Sequence, residues 1–157
     1  MIGVMTADDV LEPAARLRAA GLKVTKGRVA ALAALDEHSH SSAEQLHRHI
    51  AESGVPMSLQ AVYLSLQVLT DHGVLRRIEP AGSAARYELR VGDNHHHLVC
   101  ARCSRVVDVD CAVGAAPCLL PADPHGFSVE TAEITFWGIC PDCAVWTAQA
   151  SEEEGPA

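Results

Sequence analysis

Aromatic side chains are scarce in this sequence: two Phe, two Tyr and two Trp among 157 residues. Large-ring packing is therefore limited, and a core must be assembled from Ala, Leu and Val. No apolar run approaches the roughly 18 residues that a membrane-spanning helix needs, which excludes such a span. No basic segment precedes an apolar run between Met1 and Val10, where Asp8 and Asp9 stand. A secretory signal is therefore not expected, and a cytoplasmic location is. A nucleophile elbow and a phosphate-cradling glycine loop are both missing, so an enzyme is not expected either. Cations are nearly absent from the back of the chain. Residues 91–157 hold two Lys/Arg against ten Asp/Glu, whereas residues 1–90 hold ten of each.

The net charge of −8 thus belongs to the back half alone, and it does not exclude nucleic acid as a partner of the front. Between Arg16 and Arg28 the chain carries Arg16, Arg18, Lys23, Lys26 and Arg28 with no acidic residue among them. What the back half has instead of cations is metal-ligand chemistry. Cys100 and Cys103 form one Cys-x-x-Cys knuckle and Cys140 and Cys143 a second, with 36 residues between them. Two such knuckles supply four thiolates for a tetrahedral Zn²⁺, and a site closed by four thiolates is structural rather than catalytic. The alternative is a pair of local disulfides or a redox motif. A redox Cys-x-x-Cys, however, occurs once and opens a helix, whereas these follow expected strands.

Helical spacing predicts a helix over 9–20, with Leu11, Ala14, Ala15 and Arg18 in phase and Gly21 as its stop. Thr25 is expected to cap a second helix over 26–37, with Val29, Leu32, Ala33 and Leu35 as its apolar stripe. Ser41 and Glu44 form a capping-box pattern that opens a third helix ending near Gly54. Ser58 caps a fourth, with Ala61, Leu64, Val68 and Leu69 recurring until Gly73. Val74–Ile78 and Arg86–Leu89, separated by Pro80-Ala81-Gly82-Ser83, read as a hairpin. Helices closed by a hairpin make a winged helix-turn-helix, the fourth helix being the recognition helix. Gln60, Tyr63, Ser65 and Gln67 would face phosphates or base edges, with Ser58 at the cap, and Arg76, Arg77 and Arg86 would grip the backbone from the wing. The bland alternative is an ordinary amphipathic helix.

The expected architecture is α+β: a winged-helix DNA-binding domain over 1–91, an α/β dimerisation and metal-binding domain over 92–146, and a disordered acidic tail over 147–157. Strands are expected over 97–100, 105–109 and 128–139. The run His95-His96-His97 precedes the first knuckle, and strand alternation puts His95 and His97 on one side and His96 on the other. A solvated polar strand is the alternative to a ligand cluster, but His40, Glu88 and Asp108 offer further donors. Nitrogen and oxygen donors without sulfur suit Fe²⁺, Mn²⁺ or Zn²⁺, the first two gaining as carboxylates are added. Cys111 and Cys118 are either inert thiols or a redox-sensing pair. His38, His47, His49, His72 and His125 read as surface residues.

Several of these segments resemble the ferric uptake regulator family of bacterial metal-responsive repressors. They are Gly21–Thr25 with Arg28, Ser42-Ala43-Glu44, Ala61-Val62-Tyr63, Arg86-Tyr87-Glu88, His95 to Cys103, and Cys140-Pro141-Asp142-Cys143. The resemblance covers about residues 14–143. The stretch from Asp110-Cys111 to Pro117-Cys118 looks like the actinobacterial branch related to repressors of catalase-peroxidase genes. The resemblance implies a homodimer on a palindromic double-stranded operator. It also implies a structural zinc on Cys100, Cys103, Cys140 and Cys143, and a regulatory Fe²⁺ or Mn²⁺ on His40, Glu88, His95, His97 and Asp108. Asp108 is reminiscent of the peroxide-sensing branch, in which iron-bound histidine is oxidised and DNA is released. Control of iron homeostasis or oxidative-stress genes is the expectation; a zinc-uptake repressor and, more distantly, a metalloenzyme or a zinc-bound interaction module are the rivals. Leu64 stands where many members carry Arg, so the operator read would differ.

Overall fold

The computed structural model describes residues 12–111, 119–130 and 132–145. By contacts the chain divides into two compact units, Met1–Glu79 with Ala84–Val91, and Pro80–Ser83 with Gly92–Ala157. The first carries α1 (Pro13–Ala19), α2 (Lys26–Glu37), α3 (Ala43–Glu52) and α4 (Leu59–Asp71), followed by the antiparallel strands β1 (Arg76–Ile78) and β2 (Arg86–Glu88). Its core is aliphatic, as the shortage of rings requires. Leu17, Leu32, Leu35, Leu46, Ile50, Val62, Leu66 and Leu69 are all at or below 1% exposed, and Tyr87 is the one aromatic among the buried members.

Local chemistry explains each helix start. Thr25 Oγ1 accepts the Arg28 N–H at 3.3 Å, and Ser58 Oγ accepts that of Ala61 at 3.2 Å, so both expected caps are present. The capping box of α3 sits one residue later than expected. Ser42, and not Ser41, accepts from the Gln45 N–H, and the Gln45 side chain returns the bond to the Ser42 N–H. Ser41 is committed elsewhere, donating its hydroxyl to the His38 carbonyl at 2.7 Å and bridging Tyr87 through its backbone. Glu44 is thereby freed from the cap.

Three other expectations shift. α1 starts at Pro13, and Leu17 is its buried residue; positions 9–11 lie outside the described residues. Ala33 is exposed, and Ala31, Leu32, Ala34 and Leu35 carry the buried face of α2. In α4 the buried set is Val62, Leu66 and Leu69, while Leu64 is 62% exposed. That helix is apolar almost all round, so spacing alone leaves its phase open. After Gly73, at φ 65°, Val74 and Leu75 turn into the core, both amides bonded to the Leu69 carbonyl. The first wing strand is shortened accordingly.

The second unit is a three-stranded sheet in the order β4-β3-β5. The central β3 (His95–Cys100) pairs antiparallel with β4 (Val106–Asp110) and parallel with β5 (Thr135–Gly138). The strand expected over 128–139 is thus reduced to four residues, because only these find a ladder on β3. Leu98 pairs with Val107 on one side and Phe136 on the other, and all three are between 41% and 49% exposed. The stretch expected to form the acidic tail lies outside the described residues from 146 onward.

Candidate metal centre and nucleic-acid surface

β3 ends at Cys100, and the chain then turns back on itself: the Ser104 amide bonds the Cys100 carbonyl and the Cys100 amide bonds that of Arg105. Ser104 takes a left-handed conformation at φ 59° to close this knuckle. Pairing with β5 brings Gly138 beside Cys100, so the second knuckle begins two residues later at the same end of the sheet. The sulfurs of Cys100, Cys103, Cys140 and Cys143 lie within 4.8 Å of one another, and Cys103 Sγ is 3.7 Å from Cys140 Sγ. A tetrahedron with metal–sulfur bonds of about 2.3 Å has edges of about 3.8 Å. The quartet therefore fits a tetrahedral ion.

Electrostatics agree. Backbone N–H groups of Cys103, Cys140 and Arg102 surround the Cys100 sulfur and lower its pKa to about 6. The Cys143 thiol, hydrogen-bonded first to Cys140, is pushed up to about 12. Clustered sulfurs resist carrying several negative charges, and a divalent cation removes that resistance. Arg105 and Asp142 link the two knuckles at 3.0 Å, but both are exposed and the pair contributes little.

Donors of a second type occur in each unit. In the first, His40 Nε2 lies 2.8 Å from Glu88 Oε2, and Glu88 is fully buried. Arg76 Nε stands 3.7 Å from the other oxygen. A buried carboxylate requires such partners. His40 adopts φ 59°, unusual for a residue with a Cβ, which marks the turn between α2 and α3 as constrained. In the second unit the β3–β4 register sets His97 directly opposite Asp108. His95 Nε2 and His97 Nε2 lie 3.7 and 3.5 Å from the same Asp108 oxygen. His96 points to the other face, toward Phe136, as alternation requires.

One contributor was not foreseen from sequence. Asp93 Oδ1 lies 2.6 Å from His95 Nδ1 and so fixes that ring with Nε2 turned toward Asp108. A carboxylate behind a ligating imidazole is a common support of metal sites. The signal was present, since Asp93 is two residues before His95, but the position reads equally as a hinge. His38 and His49 also come together, with rings stacked at 3.9 Å beside Glu37 and Glu52. Their donor atoms do not gather three at a point.

The residues expected to meet DNA divide. Lys23, Lys26, Ser58, Gln60 and Tyr63 are exposed. Five arginines have partners within their own unit: Arg16 on the Leu89 carbonyl, Arg28 on that of Lys23, Arg76 on Glu88, Arg77 on Glu79 and Arg86 on Gln45. His47, which reads as a plain surface residue, meets the Met57 carbonyl at 3.0 Å and so ties α3 to the segment before α4. Met57 in turn packs on Gly27, where a Cβ would come within 2.7 Å of its sulfur. Cys111 is half-buried, and Cys118 lies outside the described residues.

A sequence profile described as the Ferric uptake regulator family matches residues 19–137. The chain belongs to the ferric uptake regulator family. The "Transcriptional regulator FurA" of Mycobacterium tuberculosis is 50% identical over 132 residues, covering 84% of this chain and 90% of that protein. Among solved structures, the Vibrio cholerae ferric uptake regulator matches with a TM-score of 0.63 and 29% identity, covering 79% of this chain and 96% of that one. The Pseudomonas aeruginosa ferric uptake regulator with manganese matches at 0.61 and 27%, covering 83% and 99%. This ferric uptake regulator homologue is accordingly a metal-responsive, DNA-binding regulator of transcription and not an enzyme. No helix among its described residues is long and apolar enough to cross a membrane.

Proposed function

We propose that this chain is a cytoplasmic iron- or manganese-dependent repressor that binds a palindromic operator as a homodimer. On this reading Cys100, Cys103, Cys140 and Cys143 hold a permanent zinc. His40 and Glu88 of the first unit, with His95, His97 and Asp108 of the second, take the regulatory ion. The observation that carries it is the sulfur-free set of imidazoles and carboxylates divided between the two units, two donors in one and three in the other. Neither set fills a coordination sphere by itself. One ion drawing on both would fix the angle between a DNA-reading unit and a pairing unit. Moving that equilibrium from mostly open to mostly closed takes about 5.5 kcal/mol of differential affinity. Two carboxylates favour Fe²⁺ or Mn²⁺ over softer ions, and the manganese-bound relative is consistent with this. The exposed row Val107, Leu98 and Phe136 supports pairing with a second copy, since an apolar face of this kind asks for cover.

The proposed targets are iron-homeostasis or catalase-peroxidase genes, released on metal loss or by peroxide. The test begins with operators selected from a random duplex pool by metal-loaded protein. Chelated protein that retains its zinc is then titrated with Fe²⁺, Mn²⁺ and Zn²⁺ at fixed salt, because phosphate contacts make affinity salt-dependent. Restoration of binding by Fe²⁺ or Mn²⁺ is expected. Binding indifferent to all three ions overturns the proposal, and restoration by Zn²⁺ alone makes the chain a zinc-uptake repressor.

A further inference from the structure

α4 carries no Lys or Arg in its thirteen residues, and its most exposed large hydrophobic side chains are Leu64 and Tyr63, 62% and 44% exposed. A helix of this composition reads DNA through uncharged groups, so the orientation of Tyr63 matters. The Tyr63 hydroxyl donates to Glu44 Oε1 at 2.5 Å, from α4 across to the first turn of α3. Glu44 is available for this because the capping box uses Gln45.

We propose that Glu44 is a positioning residue for base reading: by taking the phenol's only proton, it sets the Tyr63 ring at a fixed angle and leaves a hydrogen-bond acceptor outward. This rests on the operator binding proposed above, with α4 as the recognition helix that the sequence leads one to expect. A phenol so committed cannot donate to the N7 and O6 acceptors of guanine. Its ring edge suits a thymine methyl, and its oxygen lone pair suits the amino groups of adenine or cytosine. The operator position facing Tyr63 is therefore selected against guanine. The ionic environment supports a standing bond. The Glu44 carboxyl is held below its ordinary value by the Tyr63 hydroxyl first, then by its own backbone N–H, the Ser42 hydroxyl and Arg48. The Tyr63 phenol is raised above its ordinary value by the bond to Glu44 first, then by desolvation and the Glu44 charge, with Tyr87 last.

The experiment is a double-mutant cycle on the full-length, metal-loaded protein with Glu44→Ala, Glu44→Gln, Tyr63→Phe and Glu44→Ala/Tyr63→Phe. The readout is the ratio of affinity for the selected operator to affinity for one with guanine at each α4 position in turn. Glu44→Ala and Tyr63→Phe are each expected to cut that ratio about threefold to tenfold, as loss of one hydrogen bond does. The double variant should be no worse than either single one, and Glu44→Gln, which keeps an acceptor, should retain most of the ratio. Ultraviolet titration, with the Tyr63→Phe protein subtracted to remove the buried Tyr87, should show the Tyr63 phenol moving down toward its ordinary value in Glu44→Ala, in a measurement that needs no DNA. Additive losses would mean that the hydroxyl meets DNA directly, which overturns the proposal. So would a Glu44→Ala protein that weakens on all sequences equally, because that marks a merely structural link. If the wild-type chain itself distinguishes no operator, the DNA-reading role falls instead, while the tyrosine titration still reports on the bond.

Discussion

Ser42 shows how narrowly a single side chain decides the register of this fold. Two neighbouring serines precede α3, and which of them caps is settled by Ser41 being drawn back to His38 and across to Tyr87. Those partners are distant or irregular, so the choice was not legible from sequence, although a cap at this point was. Replacing Ser42→Ala should destabilise the first unit by about 1 kcal/mol, whereas Ser41→Ala should leave the capping box intact; urea unfolding distinguishes the two. Leu66→Ala, at a fully buried position, should cost about 2–5 kcal/mol through its cavity. Leu64→Ala should leave stability nearly unchanged, since its side chain is exposed. Equal losses for the two leucines would invert the assignment of the α4 faces. Asp93→Ala tests the support behind His95. It should weaken the regulatory ion about 10–100-fold with the zinc retained, as read by metal-dependent operator binding.

Among the elements, the two knuckles were readable in full because their spacing is local, and the structure gathers the four sulfurs as that spacing implies. The helices were legible nearly to the residue for α2 and α4, where caps and glycines punctuate the chain. β5 was not, because a strand of four residues depends on the ladder that β3 offers and not on its own alternation. The sulfur cluster makes a pH prediction. With no ion bound, the lowered Cys100 pKa favours the fold above its ordinary value of 9, an advantage lost as pH falls through about 6. Cys143 acts in the opposite sense, favouring the fold below 9 and losing that contribution as pH climbs toward 12. Near pH 7.5, zinc loading must therefore expel the Cys143 proton, and zinc affinity should rise between pH 6 and 8. Calorimetry in buffers of different ionisation enthalpy should show proton release, and heats independent of buffer would contradict it.

At the scale of the whole molecule, the division of charge matters more than its total. The acidic excess lies wholly behind residue 90, so DNA affinity should depend on the few exposed cations ahead of it. Lys23→Ala should weaken binding to all sequences alike and reduce the salt slope by about 1. A loss confined to the selected operator would mean that Lys23 reads bases instead. The sequence reading puts a boundary at residue 91 because Gly92, the histidine run and the knuckles lie in order along the chain; by contacts the chain also parts after Val91, but Pro80–Ser83 joins the second unit. The interior partners of Arg76 and Arg86 were not, because pairing with Glu88 and Gln45 arises only once β1 and β2 return beside α3. Salt and variant titrations should accordingly find these two arginines weighing more on stability than on phosphate binding.

The parallel pairing of β3 with β5 has a consequence for biosynthesis. A ribosome releases each residue of β3 thirty-eight residues before its partner on the strand that flanks it (the register is His97↔Thr135). Half of the thiolates arrive only with Cys140 and Cys143. A nascent polypeptide thus cannot assemble the four-thiolate quartet until β5 and the second knuckle have emerged, so the metal in effect certifies a closed sheet.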